Sequence, residues 1–468
     1  MDNNWLTIER EGESVNLTKC SPNAKGEITI PDGVTTIEYD AFKDCKEVTS
    51  IIVPDSVTDI WENALFDTAW YKNQPDGVVY AGKVALCYKG EMLENTSITL
   101  KEGTLGIADS AFSGCDNLVS ITIPAGCKHI GSYAFNECKA LTTINIPQSV
   151  VSVDLYAFDE TPWLDNQPNG VLYVGSLAYD YIGRIQNDTS IEIKEGTTVI
   201  GDYLFDLPFG PKSITIAKSV TVIEEIALHN LPNLETIIVD DENPVFDSRN
   251  HCNAIIETST NRLLIGCKKT IIPKGVVRIE DEAFVGCSGL LALSLPDTVT
   301  SIGEKAFVGC EGLETIDVDI NNPIYDSREN CNAIYEKSTN KLVVGCKNTV
   351  IPTSTRVIGD HAFSESSTIE SIIIPEGVEH IGYDAFYGCT NLRNIVFPSS
   401  LKSIGEHAFR ECKRLRSVQF PDGLKTIGDY AFMDSGVRSV SIPESVAHIG
   451  DNTFDDCVRI SRQQFTRE

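Results

Sequence analysis

The chain has 468 residues, 67 of them acidic and 38 basic, for a net charge of −29. Nucleic acid and anionic membrane surfaces both need compensating positive charge, so general binding to either is excluded. No run of about 20 apolar residues occurs, which excludes a hydrophobic membrane-spanning helix, and length alone would give about two to four domains.

In chain order, residues 1–30 stand apart. Trp5-Leu6-Thr7-Ile8 and Val15-Asn16-Leu17 flank Glu11-Gly12, the pattern of a short hairpin that caps the end of a larger array. The start, MDNNWLTIEREGES, lacks the basic and then apolar pattern of a secretory signal, so the expectation is a cytoplasmic chain or one that begins after a removed leader.

From residue 31 to 457 one unit of about 23 residues recurs. It is plainest in LKSIGEHAFRECKRLRSVQFP from Leu401, followed by LKTIGDYAFMDSGVRSVSIP from Leu424. Leu401, Ile404, Ala408, Phe409 and Cys412 return as Leu424, Ile427, Ala431, Phe432 and Ser435. A fixed period of this size marks a solenoid, which buries a core between neighbouring repeats and so overrides the size prior. Fourteen anchors of the Ala-Phe type run from Ala41-Phe42 to Thr453-Phe454.

Four insertions interrupt the period, over about 68–91, 161–184, 240–272 and 319–351. They form two matched pairs. WYKNQPDGVVYAGKVALCYKG from Trp70 parallels WLDNQPNGVLYVGSLAYDYIG from Trp163, and NPVFDSRNHCNAIIETSTNRLLIGC from Asn243 parallels NPIYDSRENCNAIYEKSTNKLVVGC from Asn322. Apolar runs on either side of a turn predict a β-hairpin in each. Residues 458–468 are short and charged and read as a C-terminal cap or tail.

Within a unit such as LTTINIP from Leu141, inward Ile144 and Ile146 alternate with outward Asn145, which predicts a short strand that Pro147 ends. Val150 and Val153 predict a second extended stretch. Ala134 and Cys138, four apart around Phe135, predict one turn of helix pressed on the core. Eight of the 15 cysteines (45, 115, 138, 287, 310, 389, 412 and 457) follow an anchor by three residues, a periodicity of packing rather than of a disulfide framework.

The pattern IP-x-x-V-x-x-IG-x-x-AF-x-x-C-x-x-L-x-x-I, as in IPEGVEHIGYDAFYGCTNLRNIVFP from Ile374, resembles the BspA-like leucine-rich-repeat family from about residue 28 to 457. The resemblance implies an α/β repeat solenoid: a right-handed, curved superhelix with a concave parallel β-sheet from the LxxIxIP strands and the AFxxC turns on the other wall. It also implies a bacterial protein at the cell surface or secreted, binding a protein or glycan ligand in adhesion or host interaction, without catalytic residues or cofactors. A monomer is expected.

Histidines 129, 380 and 448 each precede an Ile-Gly, and His361 and His407 precede Ala-Phe, so all five read as outward surface positions, with no His/Cys spacing of a zinc site. Two oxygen-rich loops, Asp240, Asp241, Glu242, Asn243, Asp247 and Asp317, Asp319, Asn321, Asn322, Asp326, pose a choice between a calcium site and an ordinary turn into a hairpin, with the turn preferred because the glycine and terminal glutamate of an EF-hand are missing. Cys252 with Cys267, and Cys331 with Cys346, bracket the inserted hairpins as either cross-strand disulfides or facing thiols. No nucleophile elbow, phosphate loop or dinucleotide fingerprint appears. A hydrolase with an acidic cleft is the remote alternative to a binding scaffold, and a cytoplasmic interaction scaffold the nearer one.

The outward slots of the expected concave strands carry the sharpest signal. The slot after the leading apolar residue holds Glu235, Glu314 and Glu370 in the middle repeats, then Arg393, Arg416 and Arg438. Equivalent residues of adjacent coils stack about 5 Å apart, so three arginines in one column repel unless something acidic meets them. Asn394, Ser417, Gln419, Ser439 and Ser441 flank them. Residues 385–468 hold 11 basic and 10 acidic side chains, against 27 and 57 before them. The expected partner site is therefore the strip Arg393, Asn394, Arg416, Ser417, Gln419, Arg438, Ser439 and Ser441, facing a partner's carboxylates or a glycan's acidic groups. The competing reading is neutralisation by neighbours such as Glu304 or Glu406.

Overall fold

A computed structural model describes residues 5–12, 14–202, 204–205 and 210–457. The chain forms two compact units, one of Met1–Arg184, Gly196–Asp206 and Val222–Ala227, the other of Ile185–Glu195, Leu207–Thr221 and Leu228–Glu468. Each is a parallel β-solenoid whose stacked coils have three walls.

The first wall is the LxxIxI strand. Leu118–Thr122 pairs in parallel with Thr96–Thr99 on one side and Thr143–Asn145 on the other, with Ile121 opposite Ile98 and Ile144. Along Thr143–Asn145 only the central isoleucine is buried, as strand alternation requires. The second wall consists of two-residue strands from the V-x-x-I-G segment. In the second unit Val357–Ile358, His380–Ile381, Ser403–Ile404, Thr426–Ile427 and His448–Ile449 follow one another in parallel register.

The third wall, around Ala-Phe, is where the expected helical turn gives way to something else. Among the described residues the α-helices are Ala69–Lys72 and Pro162–Asp165, both inside insertions. At the anchors, two residues four apart take the left-handed region, such as Tyr133 at φ 56° and Glu137 at φ 58°, which a helix cannot accommodate. The N–H groups of Tyr133, Phe135 and Glu137 donate instead to the carbonyls of Leu155, Ala157 and Asp159 in the next coil, at 3.0, 2.8 and 3.0 Å. This wall is thus hydrogen-bonded between coils like the strand walls, and the ladder offsets the cost of the left-handed residues.

Inside, the anchor rings form a stack. Phe363, Phe386, Phe409 and Phe432 lie 5.0 to 5.1 Å apart, nearly parallel and buried. The cysteine three residues on packs beneath: Cys138 Sγ donates to the Phe112 carbonyl at 3.0 Å and Cys389 Sγ to that of Phe363 at 3.2 Å. Burial pushes both thiols up to about 12, as an apolar site without positive charge must. All 15 cysteines carry free thiols, including Cys252, Cys267, Cys331 and Cys346.

The insertions are hairpins whose return strand takes the place of a coil in the second wall. Gly77–Ala81 and Val84–Lys89 are antiparallel, and the latter pairs in parallel with Gly106–Ile107. Leu177–Ile182, Arg262–Gly266 and Lys341–Gly345 join Val199–Ile200, Arg278–Ile279 and Val357–Ile358 in the same way. The N-terminal hairpin, Leu6–Glu11 with Ser14–Cys20, likewise pairs with Thr36–Ile37. The expected cap at 458–468 lies outside the described residues.

Candidate functional site

The expected strip lies on the first wall of the second unit. Asn394–Val396 pairs with Ser371–Ile373, and Ser417–Gln419 with Ser439–Ser441, which sets Ser417 opposite Ser439 and Gln419 opposite Ser441. Arg393 N–H donates to the Glu370 carbonyl at 2.8 Å and Arg438 N–H to the Arg416 carbonyl at 3.1 Å, so backbone bonds hold Arg393 beside Glu370 and Arg438 beside Arg416. Arg393, Asn394, Arg416, Ser417, Gln419, Arg438 and Ser441 are exposed. Among the described residues no carboxylate forms an ion pair with any of the three guanidinium groups, Glu304 and Glu406 included. The earlier members of the column differ: Glu235 meets Lys269 at 2.7 Å and Glu314 meets Lys347 at 3.6 Å.

Sequence reasoning passed over an apolar part of this face. Ile373 and Val396 stand opposite each other in register and are 74% and 61% exposed. The signal was present: their slot is polar in the neighbouring copies, Gln419 and Ser441.

The two oxygen-rich loops are turns. Asn322 Oδ1 accepts the N–H groups of Ile324 and Tyr325 at 2.9 and 2.8 Å, while its Nδ2 donates to the carbonyls of Pro296 and Val299. Asn243 repeats the arrangement. Asp247 and Asp326 are bound by Arg249 and Arg328. Burial raises Asp247, but hydrogen bonds from Arg249 and Thr258 outweigh it and hold the carboxyl below its ordinary range. Asp247 and Asp326 are thus committed to their own turns.

The surface reading of the histidines needs correction. His380 and His448 are exposed, but His129 is only 8% exposed, and His361 and His407 are half-buried on either side of Asp384, 3.6 Å from it. His129 Nε2 lies 3.3 Å from Asp59 Oδ1 and 3.4 Å from Asp154 Oδ2, without hydrogen-bond geometry to either. Its Nδ1 shares a hydrogen bond with Ser152 Oγ at 3.2 Å, and Trp61 Nε1 donates to Asp59 Oδ2 at 2.7 Å. Asp109 sits close by, its oxygens accepting the N–H groups of Ser132 and Glu62 at 2.8 and 3.4 Å. Burial, then the Asp59 charge, pushes Asp109 up to about 6. Burial lowers the His129 imidazole, but the carboxylates of Asp59, Asp154 and Asp109 more than reverse that and leave it raised.

Register explains how three distant residues converge here. Gly106, His129 and Ser152 occupy the same slot of successive second-wall strands, and Asp59 holds the matching slot beside Thr36. A Cβ on Gly106 would stand 1.9 Å from the Thr58 carbonyl oxygen, so the missing side chain lets the strand of Asp59 approach. Asp154 occupies the slot that is glycine in Gly131, Gly382 and Gly405. The departures from the repeat consensus, Gly106 for a side chain and Asp154 for glycine, were the legible signal.

The family model for the BspA type leucine rich repeat region matches residues 19–73, 86–187, 183–258, 254–344 and 334–461. No curated protein matches the chain. Similar solved structures include a leucine-rich repeat protein from Eubacterium ventriosum, 18% identical over 98% of this chain and 95% of that one with a TM-score of 0.37. A leucine rich cell surface protein from Faecalibacterium prausnitzii is 19% identical over 99% and 96%, with a TM-score of 0.30. The leucine rich repeat protein of T. pallidum is 26% identical over 44% and 87%, with a TM-score of 0.27. Among the described residues no helix is long and apolar enough to cross a membrane. With its repeat matched along nearly its whole length, the chain belongs to the BspA type leucine-rich-repeat family.

Proposed function

We propose that this chain is a non-enzymatic recognition scaffold at the bacterial cell surface, a monomer that grips a protein or glycan on the concave strand face of a right-handed, curved solenoid. The observation that carries the reading is the set Arg393, Arg416 and Arg438: exposed, with Arg416 and Arg438 leading into paired strands, and without an ion pair among the described residues of a chain whose net charge is −29. Guanidinium groups are planar forks suited to carboxylate and sulfate. Ser417, Gln419 and Ser441 add hydroxyl and amide groups for a glycan or peptide backbone, and Ile373 with Val396 adds an apolar surface that an aliphatic side chain or a sugar ring would cover. The ligand class is therefore an acidic protein segment or an acidic glycan.

The test is an array of acidic peptides and of uronic-acid and sialylated glycans, probed with the wild type and with Arg393→Glu/Arg416→Glu/Arg438→Glu. Loss of the wild-type hits in the triple variant supports the reading, and an unchanged hit pattern removes the strip. A second reading, the same scaffold facing a cytoplasmic client, is favoured by the 15 free thiols, which a reducing compartment maintains. Fractionation of the native cells decides between the two locations.

A further inference from the structure

We infer that Asp59, His129 and Asp154 form a binding site for one divalent transition-metal ion, with zinc as the best fit, which staples non-adjacent coils of the first unit. The three donor atoms lie within 4.8 Å of one another, and the two carboxylate oxygens are 3.3 and 3.4 Å from His129 Nε2. Zinc bonds nitrogen and carboxylate oxygen at about 2.0–2.2 Å, so the edge of its tetrahedron is roughly 3.3 Å. The spacing is that of neighbouring ligands on one ion.

Two further observations point the same way. His129 is 8% exposed, yet its Nε2 and Asp59 Oδ1, which face each other, are both buried without a hydrogen-bond partner. Buried polar atoms rarely stay unsatisfied, since each costs free energy unless something meets it. The second is charge. Asp59, Asp109 and Asp154 converge on one imidazole, and among the described residues no lysine or arginine forms an ion pair with any of them. A divalent cation balances what a single imidazolium does not.

The surroundings are those of a built site. Trp61 holds the other oxygen of Asp59, and Ser152 shares a hydrogen bond with the other ring nitrogen of His129, which orients the ring with Nε2 toward the carboxylates. One nitrogen and two oxygens without a thiolate suit zinc, cobalt or manganese better than calcium, which takes six to eight oxygens. Three protein ligands leave the fourth position to water. His380 occupies the same slot in the other unit and shares the same bond to a serine, Ser403 at 2.7 Å, but Gly405 stands where Asp154 would be and among the described residues no metal-binding group forms there.

The test uses the full-length protein stripped with chelator. Calorimetric titration with zinc chloride is expected to give one equivalent, and cobalt chloride a visible d–d spectrum without a thiolate charge-transfer band. His129→Gln and Asp154→Asn should each weaken zinc by at least about tenfold, while His380→Gln leaves it unchanged. Zinc should raise the melting temperature of the wild type and not of Asp154→Asn, a near-isosteric change that keeps the fold testable if His129→Gln does not fold. Absence of zinc uptake by the wild type, a thiolate band with cobalt, or unchanged affinity in Asp154→Asn would overturn the inference.

Discussion

The outward strand face differs between the two units although the same repeat slots build it. In the first unit the slots hold hydroxyls and amides that satisfy one another: Ser120 Oγ donates to Ser97 Oγ at 2.7 Å and Asn145 Nδ2 to Thr122 Oγ1 at 3.1 Å. The slot of the arginine column is neutral there, with Val119 and Thr142. In the second unit that slot passes from lysine-paired Glu235 and Glu314 to Arg393, Arg416 and Arg438, with Ile373 and Val396 exposed alongside. On a periodic scaffold most side chains find their partner one coil away. Those that do not are where a ligand has something to meet.

The largest effects are expected in the interior of the coils. Phe386 is fully buried between Phe363 and Phe409, so Phe386→Ala should lower the stability of the second unit by about 3–5 kcal/mol in denaturant titration. Phe135→Ala, in the matching stack of the first unit, should cost a similar amount. A loss below about 1 kcal/mol at either site would contradict coil stacking as the source of stability.

Overpacking should cost less. A Cβ on Gly345 would stand 2.1 Å from the Phe363 ring, so Gly345→Ala should destabilise by about 1–3 kcal/mol. Gly12, with open space around its Cβ position, offers the contrast in the N-terminal hairpin, where only its left-handed φ of 56° opposes a side chain.

The thiols distinguish folded coils from opened ones. With Cys138, Cys287 and Cys389 pushed up to about 12 by burial, the folded protein should resist alkylation at mildly alkaline pH, and denaturant should release all 15 thiols. Rapid modification of these three in the native state would show that the third wall opens.

The smallest effect concerns acid. Asp247 has its pKa held below the unfolded value, so its contribution is present above about pH 4 and is lost as pH falls through the lower, folded value. Asp247→Asn should therefore flatten the acid limb of the stability profile below about pH 4, with the steeper wild-type limb as the reference.

The repeat made the architecture legible because one apolar set, recurring every 23 residues, admits few folds. The strand at LTTINIP, the second stretch at Val153 and the hairpins at Val79 and Leu172 could be read from alternation and turns alone. The third wall could not. Ala134 and Cys138 have helical spacing, and only backbone conformation, with Tyr133 and Glu137 left-handed, turns the segment into an inter-coil ladder. His129 shows the same limit for a site. Its slot predicted exposure and holds for His380, but Asp59 and Asp154 come from coils on either side, and their convergence depends on the absent side chain of Gly106. The arginines were legible as a recurring slot; that no carboxylate among the described residues forms an ion pair with them required the structure.

The most direct test of the central proposal is a side-by-side binding measurement on the acidic peptide and glycan array, at low and high salt. It compares the wild type, the Arg393→Glu/Arg416→Glu/Arg438→Glu variant and a first-unit control, Val119→Glu/Thr142→Glu. Recognition through the second-unit face predicts about a tenfold or greater loss, together with the loss of salt dependence, in the arginine variant alone. Equal binding by all three proteins, or a loss confined to the first-unit control, would contradict it.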